Sequence, residues 1–450
     1  EWMINGGISE DIFSLDISRF EKFHSEIKFI TERVTETLGD LYAMHWPYKQ
    51  HTTSRNQKLL PYHNSLKKAS ACFGVGGGYE RPMWYALNNN KPEYRYSYGY
   101  QNWYDSAKFE SVHSRKHVAL FELTPFSKFE IKGFNSHAVL QYLCANNIKN
   151  TEGATTYTQM LNPNGGIEAD LTVTCVDKNL FRVISGAAVR SHDKKHILNN
   201  LKFDVEFHDI TEELACLGIF GPKSRELLTE LVGNEFDNER FPFGTGKYLK
   251  IQGISIWFQR LSYVGELGWE IYIPTENGQD IWDLLWESGK PYGIIPAGIG
   301  VYGTTGRLEK GYRVWGQDIG PDYTPLEAGL TWATKINTND DFLGKKALLE
   351  QRRNGIYKIF AGFTCMDPSV VLLGRETIFR NGKKVGWLSS GGYGYTIKKP
   401  IGYGYIRTQT PIDFKYVLNG NYSLEVENKK FKCDVHLKPM YDPMMKKIMI

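Results

Sequence analysis

The period of the apolar positions changes along the chain. Phe23, Ile27 and Ile30, continued by Val34 and Leu38, recur every three or four residues, which predicts a helix within a charged lead-in over 1–45. Between 46 and 104 no period holds. Trp46, Phe73, Tyr79, Trp84, Tyr85 and Trp103 lie scattered among glycines, and the segment reads as irregular. From about 105 the pattern alternates between strands and short helices. Phe129, Ile131 and Gly133 read as a strand end, and Val139, Tyr142 and Leu143 as a short helical stripe. Pro222 opens a helix lined by Leu227, Leu228 and Leu231 and closed by Gly233, and Ile281, Leu284 and Leu285 mark another. Ile254, Ile256 and Phe258 alternate with Ser255, Trp257 and Gln259, and Trp269, Ile271 and Ile273 alternate with Glu270 and Tyr272, as strands do. Beyond about 350 strands dominate, and Asn381-Gly382 and Asn419-Gly420 predict two hairpin turns. The expected class is α+β: mixed antiparallel sheets with flanking helices and a carboxyl-terminal all-β barrel.

Composition narrows the functional classes. A chain of 450 residues implies two to four domains. Its net charge of +4 comes without a basic block, which argues against nucleic acid as a partner. The six cysteines are scattered, with no C-x-x-C, so neither a disulfide nor a zinc framework is expected, and a reducing compartment fits. The longest uncharged stretch, 291–306, is rich in Gly and Pro and too short to span a bilayer. No signal peptide is visible, but the chain opens at Glu1 rather than Met, so a missing leader carries no weight. Gly74, Gly76, Gly77 and Gly78 lack the third glycine and the strand–loop–helix frame of a dinucleotide site. There is no H-E-x-x-H or G-x-S-x-G. His45 and His192 read as packing or hydrogen-bonding residues rather than metal ligands.

Three clusters carry candidate chemistry. Residues 162–173, N-P-N-G-G-I-E-A-D-L-T-V, read as a tight turn feeding a strand. Gly165 and Gly166 would let the backbone approach a ligand, and Asp170, between apolar neighbours, is a candidate proton acceptor; a hairpin with a solvent-facing Asp fits the residues equally. In residues 262–270, S-Y-V-G-E-L-G-W-E, Glu266 on a glycine-flanked loop suits an amidine-like edge, with Tyr263 and Trp269 available to stack on a ring; a β-bulge with an exposed Glu fits as well. In residues 306–318, Arg307, Glu309, Lys310 and Arg313 concentrate charge. Arg307 could fork onto a ligand carboxylate, although a charge-laced helix surface is the commoner meaning of such a run.

In this order, G-G-I-x-x-D-L-x-V, Y-x-G-E-x-G-x-E, R-L-E-K-G and Thr324-Pro325-Leu326-Glu327-Ala328-Gly329-Leu330 resemble the glycine-cleavage T-protein family. Residues 118–126 resemble that domain's opening strand, and 382–405 its carboxyl-terminal barrel. Upstream, Gly78-Tyr79-Glu80-Arg81-Pro82-Met83-Trp84 and Met44-His45-Trp46-Pro47 resemble the central domain of dimethylglycine and sarcosine dehydrogenases. Glu1-Trp2-Met3-Ile4 and Leu15-Asp16-Ile17-Ser18-Arg19-Phe20 resemble the end of their flavin domain. The resemblance implies a T-protein-like multidomain fold. Residues 1–45 would be the tail of a flavin domain, 46–104 a central linker domain, 105–347 the folate-binding aminomethyltransferase domain, and 348–450 the barrel. Asp170 would act as base or electrostatic stabiliser beside the reacting nitrogens of tetrahydrofolate. Glu266 would hold the pterin edge with Tyr263 nearby, and Arg307 would meet the folate tail or support the site. The dinucleotide motif of the flavin domain is absent, so FAD would belong to a domain in cis or to a separate subunit. The implied function is capture of an N-methylglycine-derived iminium as 5,10-methylenetetrahydrofolate, without membrane or metal, in the cytoplasm or, in a eukaryote, the mitochondrial matrix. The rival readings are a stand-alone folate-dependent methyl- or aminomethyltransferase, and a non-catalytic folate-binding protein.

Overall fold

In the computed structural model, residues 16–201 and 204–450 are described. Residues 1–15, which carry part of the flavin-domain resemblance, lie outside them. The lead-in helix forms at Ile27–Asp40, but its apolar stripe faces outward: Ile27 is 83% exposed, and Ile30, Val34 and Leu38 are exposed too. Periodicity establishes an amphipathic helix; it does not say what covers it. Only Phe29 turns inward, edge-on to Phe23 and His24.

Residues 46–104 are less irregular than their pattern suggests. They hold a short helix, His63–Lys68, and a hairpin, Ala71–Gly76 with Tyr79–Tyr85. Gly77 and Gly78, at φ 59° and 83°, make its two-residue turn. That backbone suits glycine and gives the strands the right twist, so the glycine run is a hairpin turn.

Two sheets form the centre. The first has six strands in the order Thr245–Ile251, Ile254–Arg260, Gly268–Pro274, Leu214–Phe220, Val118–Glu122, Ile294–Ala297; only the last pairing is parallel. The second is antiparallel, in the order Thr155–Leu161, Ile167–Asp177, Leu180–Ser185, Ser127–Lys132, Glu206–Asp209. Helices Ser224–Val232 and Gly278–Gly289 form where their apolar spacing and Gly233 predict. They contribute Leu227, Leu228, Ile281 and Leu285 to one core with Ile256, Trp269 and Ile271. Helix Ser136–Leu143 covers the second sheet through Val139, Leu140 and Leu143.

The alternating strands of the first sheet are buried on both faces. Odd positions 269, 271 and 273 enter the apolar core, while Tyr272 packs in a separate cluster with Tyr302 and Val264. The polar residue Gln259 is fully buried and donates to Thr155 and Thr174 of the second sheet at 2.5 and 2.7 Å. Hydrogen bonds therefore link the two sheets there.

The tail is a closed six-stranded barrel, in the order Ile356–Cys365, Lys399–Ile412, Lys383–Gly394, Thr377–Arg380, Tyr422–Val426, Lys429–His436. Asn381-Gly382, at φ 50° and 79°, makes the expected hairpin. Asn419-Gly420 does not. The residues before it form a one-turn helix, Phe414–Leu418, capped by the Asp413 side chain accepting from the Tyr416 amide, so the pair joins helix to strand. All six cysteines are buried and free. Among the described residues no helix is long and apolar enough to cross a membrane.

The glycine turn at 162–166 differs from its sequence reading. Asn162 Oδ1 accepts from the amides of Asn164 and Gly166 at 3.0 and 2.9 Å, closing the turn. Gly165, at φ 82°, lies against Leu348, and a Cβ on Gly166 would fall 1.9 Å from the Pro321 carbonyl oxygen. The space these glycines leave is filled by the chain itself and not left for a ligand. Gly166→Ala should therefore lower unfolding free energy by about 1–3 kcal/mol, as overpacking does; chemical denaturation checks this, and an unchanged midpoint would refute the close approach.

Candidate functional site

Asp170 lies mid-strand opposite Gln159, whose Nε2 donates to its Oδ1 at 3.0 Å; Tyr157 hydrogen-bonds it as well. The carboxyl is deep in the molecule yet keeps part of its surface open. Burial pushes it up to about 6, against the pull of these two hydrogen bonds and of Arg313. Gln159 Oε1 is buried without a partner. Two residues along the same face of the strand, Glu168 accepts from Asn162 at 2.8 Å and faces His192 at 3.2 Å. His192 also meets Asp193 at 3.0 Å. Burial lowers His192, but its hydrogen bonds to Asp193 and Glu168 outweigh it and lift the imidazole to about 9. His192 is thus a hydrogen-bonding residue, and it keeps a positive charge beside two acids.

A run of rings leads away from Asp170. Tyr263, near Asp170, donates to the Arg313 carbonyl at 2.9 Å, stacks on Tyr312 at 5.5 Å and packs on Tyr302 at 5.0 Å. Tyr302 in turn donates to Glu270 Oε1 at 3.2 Å, and Tyr272 donates to Oε2 at 2.7 Å. Burial raises the Glu270 carboxyl above its usual range, opposed by these two hydroxyls. No guanidinium or ammonium group pairs with it among the described residues.

The other expected ligand residues sit differently. Trp269 is fully enclosed by Phe236 and Phe241 in the apolar core, on the opposite strand face from Glu270, and offers no ring face to a ligand. Glu266 is 1% exposed, and its Oε1 takes the Arg115 guanidinium at 3.2 Å together with the Tyr441 hydroxyl. Arg115 reaches Glu309 at 2.8 Å with its other terminal nitrogen and lies 4.1 Å over the Tyr441 ring. Glu266 is therefore part of an internal ion network that the sequence did not reveal.

Arg307 is likewise committed. It follows a π-turn, Val301–Gly306, and opens the short helix Arg307–Lys310. Its five donor bonds go to Gly303 O, Tyr312 O, Asp318 Oδ2, Gln317 Oε1 and Ser390 Oγ. A guanidinium has five N–H groups, so none is left for a folate carboxylate. Of the two roles expected for it, support fits and ligand contact does not.

A family model described as the GCVT N-terminal domain matches residues 62–338, and the glycine cleavage T-protein C-terminal barrel domain matches 358–442. The chain belongs to the glycine-cleavage T-protein family. A third model, the FAD dependent oxidoreductase central domain, matches residues 5–59 of this T-protein-family chain. Similar curated proteins are 4-methylaminobutanoate oxidase (formaldehyde-forming) of Paenarthrobacter nicotinovorans, at 33% identity over 98% of this chain and 53% of the relative, and human mitochondrial sarcosine dehydrogenase, at 31% over 99% and 53%. The chain spans about half the length of these relatives. An aminomethyltransferase of Caldanaerobacter subterraneus is 33% identical over 77% of this chain and 92% of its own length. The aminomethyltransferase T structure from Bartonella henselae superposes with a TM-score of 0.73 at 24% identity, over 86% of this chain and 98% of that one, which shows the shared fold.

Two outcomes follow for this T-protein-family site. Arg307→Ala leaves Asp318 buried and unpaired, so stability should fall by about 3–5 kcal/mol in denaturant titration; a loss below about 1 kcal/mol would sink the clamp. Asp170 is raised in the folded state, so its favourable contribution is full below the unfolded value and lost as pH climbs through about 6. Asp170→Asn should accordingly be more stable than the parent at pH 8, by about 1–3 kcal/mol, with the gap closing at pH 4. A gap independent of pH would contradict the raised value.

Proposed function

We propose that this chain is the tetrahydrofolate-dependent, one-carbon-accepting part of an enzyme that oxidises an N-methylglycine such as dimethylglycine or sarcosine. A flavin-binding domain, in cis or as a separate subunit, would generate the iminium. The observation that carries the reading is Asp170: a carboxyl titrating near neutrality, held by Gln159 and Tyr157, with an open face. Tetrahydrofolate supplies the amine nucleophile. Asp170 accepts the proton that this amine loses on capturing the iminium, or stabilises the positive charge that develops. At pH 7 a carboxyl titrating near 6 is about nine-tenths ionised, which suits a base that must also release its proton. Gln159 and Tyr157 fix its orientation, and the surrounding rings exclude the water that would hydrolyse an iminium.

Within the motif Y-V-G-E-L-G-W-E, Glu270 is the better pterin ligand. Glu266 is neutralised by Arg115, whereas Glu270 is held among the described residues by two phenols and joins the packed Tyr302 and Tyr263 rings that run to Asp170. Hydroxyls are weaker partners than a guanidinium, so an amidine-like edge gains more at Glu270. Arg307 supports the site from behind.

Calorimetric titration with tetrahydrofolate tests this. The chain should bind at one site, Glu270→Gln should weaken binding about tenfold or more, and Glu266→Gln should lower the melting temperature while leaving affinity unchanged. Asp170→Asn should bind normally yet fail to yield methylenetetrahydrofolate when paired with a flavin domain. A folded parent chain that gives no heat with tetrahydrofolate overturns the reading.

A further inference from the structure

A cavity of about 160 Å³ opens between the 71–85 hairpin, the helix Tyr104–Ser114 and the barrel. It shares no lining residue with the Asp170 site. Of its 21 lining residues eight are aromatic and none is charged. Four of the rings, Tyr48, Trp84, Tyr94 and Trp103, form one group. Trp84 stacks on Trp103 at 6.3 Å, and Tyr94 and Tyr48 meet Trp103 edge-on at 5.1 and 5.7 Å. In the second group Tyr104 meets Tyr100, Tyr393 and Tyr395 at 4.7, 5.5 and 5.1 Å, again edge-on. Each edge-on contact covers one face of one ring and not the opposite faces, and ring faces are electron-rich.

Trp84 and Tyr395 are buried and form the deep part of the cavity, while Tyr48 and Tyr100 are half exposed and stand nearer its mouth. Trp84 Nε1 is buried with no hydrogen-bond partner, a donor awaiting an acceptor. Behind Tyr48 lies Glu376. Its Oε1 accepts from the Leu373 amide at 2.7 Å, and its Oε2 is buried and unpartnered. Arg307, whose charge reaches Tyr48, is already paired with Asp318. The ring faces and the unpaired carboxylate both favour a positive guest.

We propose that this cavity is an aromatic box for a small methylated ammonium ion that also carries one hydrogen-bond acceptor. The ammonium would sit against the ring faces by cation–π attraction, and the acceptor would meet Trp84 Nε1–H. The volume agrees with a guest of this size, since a cavity of roughly 150 Å³ admits benzene. The proposal is independent of the folate reading.

The test compares choline with its neutral isostere, 3,3-dimethylbutan-1-ol, by calorimetry and tryptophan fluorescence on the full chain. Choline should bind saturably, and the isostere at least about fivefold more weakly. Because Trp84 is a core ring, the partly exposed Trp103 carries the mutational arm: Trp103→Leu should weaken choline about tenfold, while Trp387→Leu, at an exposed ring of the barrel outside the cavity, should not. Unchanged tetrahydrofolate affinity in Trp103→Leu separates this site from the folate site. Equal affinity for the two alcohols, absence of saturable choline binding, or full retention in Trp103→Leu would each overturn the assignment.

Discussion

A guanidinium is planar, permanently charged and has five donors, and burying one is tolerable only when nearly all are satisfied. Arg307 meets that condition where three parts of the molecule join. It reaches back to Gly303 in the π-turn, forward to Tyr312 and Asp318, and across to Ser390 on the barrel. Asp318 completes the joint. It accepts from the Val314 amide and from Ser389 and Ser390, and its carbonyl accepts from the Tyr405 hydroxyl. The backbone that carries Arg313, and with it the carbonyl holding Tyr263, is therefore set by a charge pair rather than by apolar packing alone.

Arg115 plays a similar part on a neighbouring flank. It joins Glu266 to Glu309, and Glu309 in turn takes the Thr396 amide and hydroxyl from the barrel while its carbonyl holds the amides of Met440 and Tyr441. Much of the charge in R-L-E-K-G thus serves assembly. Asp170 and Glu270 lie in neither network: the first meets Gln159, the second the hydroxyls of Tyr272 and Tyr302.

The elements were largely legible because each has a local cause: the leucine spacing and Gly233 around Ser224–Val232, the positive φ at Asn381-Gly382, the alternation in Gly268–Pro274. The α+β architecture with its carboxyl-terminal barrel could be read in this way. Even the error at Trp269 had its correction in the sequence. Strand alternation puts residues 269 and 270 on opposite faces, so with Glu270 turned to Tyr272 and Tyr302 the tryptophan has to point into the core. The contacts of Gly166, Glu266 and Arg307 were not legible. Each depends on a partner far along the chain, Pro321, Tyr441 and Ser390, and no local pattern encodes such a meeting. The hairpin expected at Asn419-Gly420 does not form for a local reason: Asp413 is a helix cap three residues before Tyr416.

The π-turn at Val301–Gly306 sets the phase of everything near the joint. It accommodates a residue beyond ordinary helical winding, and each residue of an α-helix turns the chain by about 100°. Tyr302, which faces Glu270, and Arg307, which faces Asp318, are aimed at opposite ends of this wider loop. Deleting one residue here would not merely shorten the segment; it would rotate one of these side chains away from its target. The length of 301–306 is thus under tighter constraint than the identity of most residues in it, and changes tolerated elsewhere as insertions or deletions would here act as rewiring.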